Sequence, residues 1–122
     1  MMFAFSVNAA DVCANGKVVY FGDLVNDAGS EKLCIVPITN TWYFGSKDKD
    51  EKEYTYAIPS KVKPFNHAKG DEAMKGYEII LEGNKVVLAA IYKSGKLVQS
   101  IVAAKDLAME FNPETTIYAE HN

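Results

Sequence analysis

Apolar and polar side chains alternate along most of this 122-residue chain. Clusters of Gly, Asn, Asp, Ser and Pro break the alternation about every eight to twelve positions, the spacing of short antiparallel strands and tight turns. Residues 17–24 (KVVYFGDL) read as a first strand, and residues 26–30 (NDAGS) as a turn cluster. Residues 31–38 read as a second strand, with Pro37 near its end where a missing N–H is tolerated. Residues 41–44 form a short aromatic strand. The sign-alternating run 47–52 (KDKDEK) is a solvated hairpin tip. Residues 53–58 (EYTYAI) place Tyr54, Tyr56 and Ile58 on one face.

Three strands follow at 77–82, 85–93 and 96–104, joined through Gly83-Asn84 and Ser94-Gly95, residue types that accept the positive φ of two-residue hairpin turns. Residues 86–92 (VVLAAIY) are apolar on both faces, which predicts a central strand covered on both sides. Residues 106–111 read as a strand with Leu107, Met109 and Phe111 inward; a helical turn over 105–110 is the competing reading. Residues 115–120 are the last strand. Residues 59–76 are the longest stretch without a clean period, with a short helix over 67–75, weakened by Gly70, as the competing reading. With Pro59, Pro64, Gly70 and Gly76 they read as one long loop, and long loops in compact domains are often functional. The fold predicted is all-β, an antiparallel meander of about eight or nine strands closed into a barrel or split into a two-sheet sandwich. Residues 11–122 make one domain.

Composition narrows the function. All 13 basic residues are Lys, none is Arg, and 16 acids leave a net charge of −3. Such a chain lacks the cationic face that neutralises phosphates, so no nucleic-acid partner is expected. Residues 1–10 (MMFAFSVNAA) resemble the end of a secretory signal peptide, with small residues before a cut at Val7-Asn8-Ala9 or Asn8-Ala9-Ala10. Alternation of Phe3, Phe5 and Val7 would otherwise make a first strand. No run is long enough for a membrane-spanning helix. The export reading places the mature protein in the periplasm or outside the cell. There, the only two cysteines, Cys13 and Cys34, would pair, adding about 3 kcal/mol of stability, whereas a cytosolic origin would leave two separate buried thiols. Their spacing suits no zinc site, and neither a metal nor another cofactor is expected.

No catalytic motif of recognised spacing occurs. His67, with Asp71 or Glu72 steering it, is the one candidate general base, against the plainer reading of an exposed loop histidine. His121 stands beside the C-terminus and is expected to fray. Acid pairs such as Glu51/Glu53 are ordinary surface charge. Trp42, Tyr54 and Tyr56 would make a sugar-stacking platform if exposed; the plainer reading puts Trp42 and Phe44 in the core and the tyrosines at a rim.

Cys13 before a strand (KVVYF), Cys34 within the next (KLCIV), the Trp42-Tyr43-Phe44-Gly45 unit, EKEYTY, and the stretch from Tyr77 through Glu-Gly-Asn-Lys to Tyr92 together resemble a group of small exported bacterial β-proteins of unknown function. That resemblance spans residues 11–102 and implies an exported, disulfide-compatible β-domain. The string Lys69-Gly70-Asp71-Glu72-Ala73 is similar to one in periplasmic inhibitors of c-type lysozyme, which are small β-barrels. This chain lacks the Ser-Ala-Ser-Gly-Ala-like segment with which that family docks, so no inhibitory residue carries over.

The function expected is therefore a non-enzymatic exported domain that binds another protein, such as an inhibitor or immunity-type protein for a basic hydrolase. Phe65, Asn66, His67, Lys69, Asp71 and Glu72 would supply its contacts. A carbohydrate- or surface-binding module using Trp42, Tyr54 and Tyr56 is the alternative.

Overall fold

Cys13 and residues 16–121 are described by the structure, a computed structural model; residues 1–10, where the signal peptide is expected, lie outside them. Among the described residues ten strands form two antiparallel five-stranded sheets. β1 (Lys17–Asp23), β2 (Ser30–Val36), β3 (Thr41–Lys47) and β4 (Glu53–Ile58) run as a meander, and β10 (Ile117–Tyr118) returns to pair with β1. The second sheet is the meander β5 (Lys63–Lys69), β6 (Glu72–Leu81), β7 (Asn84–Lys93), β8 (Lys96–Ala104) and β9 (Leu107–Phe111). The all-β expectation holds, and of its two forms the sandwich is the one observed.

Strand pairing follows the alternation. Tyr20, Leu33, Ile35, Phe44 and Ile58 meet Tyr77, Ile79, Leu88, Val102 and Phe111 in one core between the sheets. The cross-strand pairs Leu33↔Phe44 and Phe44↔Tyr56 set the inner face of the first sheet. Tyr54, Tyr56 and Ile58 share that face, as their spacing predicts. Residues 107–111 are strand, and Met109 and Phe111 point inward with their partners Val102 and Ser100. Inside the core, the Tyr20 hydroxyl and Ser100 Oγ lie 2.6 Å apart, so each satisfies the other.

The two sheets are stitched along a seam beside Phe111. Leu24 bridges to Phe111, and the Asn112 N–H donates to Asp23 O at 2.7 Å. Gly22 makes this seam possible, since a Cβ there would stand 2.4 Å from Phe111 Cγ. On the opposite side β4 and β5 are both sheet edges, joined by residues 59–62, so the sandwich stays open.

The structure corrects two expectations. Residues 59–76 are not a loop: they hold β5, a tight turn at Gly70-Asp71 and half of β6. Pro64 fits within β5 because an edge strand leaves one row of N–H groups unused. The β6–β7 turn is Glu82-Gly83 (φ 49° and 83°), one residue before the expected pair, whereas Ser94-Gly95 turns as predicted (φ 52° and 79°).

Cys13 and Cys34 form a disulfide, with Cα atoms 5.8 Å apart. Cys34 points away from the core, opposite to Leu33 and Ile35, so the bridge ties the N-terminal segment to the outer face of the first sheet. Replacing both cysteines by serine is expected to lower the unfolding free energy by about 3 kcal/mol. Urea titration of the oxidised protein against the double variant checks this; equal midpoints would refute it.

Candidate functional site

The hairpin of β5 and β6 carries six of the residues expected to make contacts. Along β5 only Phe65 is partly covered, and the other residues are exposed. Alternation sends Phe65 and His67 outward, across from Gly76 and Met74, while Asn66 points inward with Lys75. The Phe65 and His67 rings stack, with centroids 5.7 Å apart and planes at 20°. Phe65 covers Gly76, where a Cβ would lie 3.0 Å from its ring and only 1.8 Å from Leu88 O. Lys69 faces Glu72 at the far end of the hairpin.

The structure does not assemble the acid–base pair. No hydrogen bond joins His67 to Asp71 or Glu72 among the described residues; the Asp71 carboxylate instead accepts from Ser94 Oγ at 3.1 Å. Among the described residues no three His, Cys, Asp or Glu side chains gather to hold a metal.

Trp42, Tyr54 and Tyr56 share the inner face of the first sheet rather than an outer platform. Trp42 is half-buried, tilted against Tyr77 (6.1 Å, 49°) and edge-on to His121 (5.2 Å, 90°). Tyr54 lies four positions along the ladder from the row of Trp42, on the order of 13 Å away, and is 37% exposed under Lys52 Nζ. His121 is therefore packed, not frayed. The segment before it is anchored as well: the Ala119 N–H donates to Val19 O at 2.9 Å, and the Tyr77 hydroxyl donates to Ala119 O. Burial holds the Tyr77 hydroxyl above its ordinary pKa, so it stays a donor.

The outer face of the second sheet is the site that the sequence did not single out as one. Register sets Phe65, Gly76, Ala89 and Ile101 in one row and His67, Met74, Ile91 and Gln99 in the next, with Val87 and Ala103 beside them. β7 is central in its sheet, as its doubly apolar pattern predicts, but only its inner face meets the other sheet. Ala89 is buried beneath its neighbours in the row, Val87 and Ile91 are half-buried, and no second layer of strands lies over them among the described residues. Met74 is 38% exposed. The face is rimmed by Lys63, Lys69, Lys85, Lys93 and Lys96 against Glu72, Glu78 and Glu110, with Lys85 Nζ 3.4 Å from Glu78.

The acidic excess lies elsewhere. Asp23, Asp27, Asp48, Glu51 and Glu53 line a cleft of about 430 Å³ along the outer row Phe21–Lys32–Gly45–Thr55 of the first sheet. At its rim, Asp48 Oδ1 accepts from the Asp50 and Lys52 N–H groups at 2.9 and 3.0 Å and holds the hairpin tip.

These features define an antiparallel β-sandwich with one uncovered apolar sheet face. Compared with protein-family models, with curated proteins and with solved structures, the chain matches none. Among the described residues no helix is long and apolar enough to cross a membrane.

Proposed function

We propose that this is an exported, non-enzymatic domain that binds another protein through the outer face of the β5–β9 sheet. The observation that carries the reading is the apolar stripe of Met74, which is 38% exposed, and the half-buried Phe65, Val87, Ile91 and Ile101, with charge only at its margins. An apolar centre inside a polar rim is the anatomy of a protein interface, and contiguous exposed apolar surface on a small domain marks an interaction site. The free edge of β5 lies against the same stripe and offers main-chain groups to an added strand. The disulfide supports an oxidising compartment.

The rim also selects the partner. Five lysines against three glutamates fit a protein whose own apolar patch is bordered by acids. The charge that would draw a basic hydrolase lies on the other sheet, around the Asp23–Glu53 cleft.

Ile91→Asp puts a charge in the middle of the stripe without entering the core. It is expected to leave the melting temperature within a few degrees and to weaken partner binding at least 100-fold. Extracellular and periplasmic fractions passed over wild-type and Ile91→Asp baits give the comparison, followed by titration of whatever only the wild type retains. A ligand held equally by both baits, or none that depends on Ile91, would count against this face. An inhibitor role further requires that a captured enzyme lose turnover when the chain is added.

A further inference from the structure

β5 is an edge strand, and its neighbours fix which of its main-chain groups are free. The Ser94 N–H donates to Asp71 O at 2.7 Å, one step beyond the Glu72–Lys93 pair of the β6–β7 ladder. Bonded and unbonded pairs alternate along an antiparallel ladder. The odd-numbered residues of β6 therefore bond to β7, and its even-numbered residues bond to Lys63, Phe65, His67 and Lys69 of β5. Pro64, Asn66 and Ala68 turn their main chain to the open side. There Asn66 and Ala68 offer N–H and C=O groups, and Pro64 offers C=O alone. No other segment bonds to these groups among the described residues.

A groove of about 260 Å³ lies between β5 and the C-terminal segment. Pro64 and Asn66 line it from β5, Tyr118, Glu120 and His121 from the segment, and Tyr77 from β6. Pro64, Asn66 and Glu120 are exposed, and Tyr118 and His121 are half-buried, so a bound chain can touch them. The strand beside the groove has a charge of its own. The protein carries a net charge of −3, yet residues 59–70 hold Lys61, Lys63, His67 and Lys69 and no acid. Glu78 and Glu72 stand across the ladder from Lys63 and Lys69. Glu78 pairs with Lys85 instead, and neither Lys63 nor Lys69 belongs to an ion pair among the described residues. A second copy of β5, laid antiparallel about Asn66, would set Lys63 against Lys69 at both ends, and like charges directly opposite repel. A segment with acids at those two positions meets attraction instead.

Resting on the reading of the β5–β9 sheet as a protein-binding surface, we propose that the partner adds an extended, acid-flanked strand to the free edge of β5. The strand runs antiparallel to β5, with an apolar residue opposite Asn66 and acids opposite Lys63 and Lys69. Asn66 and Ala68 exchange main-chain hydrogen bonds with it, and Pro64 O accepts one more. Residues opposite Asn66 share its inward direction, so the apolar side chain enters the groove against Pro64 and Tyr118. The acids fall on the outer face beside the two lysines. The pattern recognised is acid-x-x-apolar-x-x-acid.

The probe is the end-capped peptide Glu-Thr-Thr-Leu-Thr-Thr-Glu, titrated at about 50 mM salt, where charge is only partly screened, and followed by amide NMR shifts. Binding is expected on the order of 100 μM, with the largest shifts at Asn66, Ala68 and His121. A peptide with Lys at both ends should bind about tenfold more weakly or worse, through charge. So should one N-methylated at Leu, through a lost main-chain donor. Lys63→Glu combined with Lys69→Glu should reverse the preference toward the Lys-ended peptide, in spectra that also report its fold. No shift up to about 5 mM peptide, equal binding of the three peptides, or a folded double variant that keeps the original preference would overturn the proposal. A dimer of this chain that the peptide disperses would overturn it too, since the edge would then belong to a second copy. Ile91→Asp, two strands from the edge, should bind the peptide as the wild type does. A partner that the Ile91→Asp bait loses but excess peptide does not displace would sink the added strand and spare the apolar face.

Discussion

Phe111→Ala is expected to destabilise the protein by about 3–5 kcal/mol, a large part of the roughly 5–15 kcal/mol that holds a domain of this size. Phe111 is 1% exposed and sits where the two sheets are joined. Its ring fills the space above Gly22 and tilts against Tyr20 at 6.1 Å, and its backbone bridges to Leu24. Truncation opens a cavity under Gly22 and loosens the seam that carries backbone bonds between the sheets. Phe111→Leu keeps much of the volume and should lose less than half as much. Urea unfolding followed by tyrosine and tryptophan fluorescence measures both. A loss below about 1 kcal/mol for the alanine variant would show that the seam relaxes freely around the gap.

The second large effect depends on pH. Glu31 titrates at about 7 in the folded protein, against an ordinary value of 4.5, and burial is the cause. Below pH 4.5 the carboxyl is protonated in folded and unfolded chains alike and does not alter their balance. Between pH 4.5 and 7 the folded chain holds a proton that the unfolded chain has released. Stability from this group therefore falls as pH rises, and the fall levels off above pH 7. The full loss is up to about 3 kcal/mol, because each tenfold change in proton affinity between the two states corresponds to about 1.4 kcal/mol. Glu31→Gln should flatten this slope, and Glu31→Leu should be more stable than the wild type at about pH 8 while differing little at about pH 4.5. Denaturation midpoints at both pH values for the three proteins decide it. Parallel wild-type and Glu31→Gln profiles would mean that the carboxyl is hydrated in the folded state.

Much of the architecture is legible in short stretches of chain. Alternation in EYTYAI places Tyr54, Tyr56 and Ile58 together, because a strand has period two whatever it packs against. Ser94-Gly95 turns as expected because positive φ is a property of the residues themselves. The neighbouring turn slipped by one residue because Asn84 is as good a turn former as Gly83, and pairing of Leu81 with Asn84 settled the choice.

Residues 63–69 are strand although nothing in their pattern says so. All of β5 but the half-covered Phe65 is exposed, so no apolar row marks it, and its conformation comes from pairing with β6. The candidate site divides in the same way. VVLAAIY shows in the sequence that β7 has two apolar faces, but not that only one of them is covered. Glu31 at the start of a strand looks like an ordinary solvated acid, and only the fold buries one of its carboxyl oxygens.

By itself, then, the sequence determined most strands but not β5, their antiparallel order, most turn positions and a cysteine pair able to bridge, since each follows from backbone preferences and side-chain spacing over a few residues. Only the tertiary structure decided that the meander splits into two sheets, that the β5–β9 sheet has no layer over its outer apolar face among the described residues, and that one carboxyl oxygen of Glu31 is buried. Those outcomes depend on which distant segment lies opposite, and a local pattern carries no record of its partner.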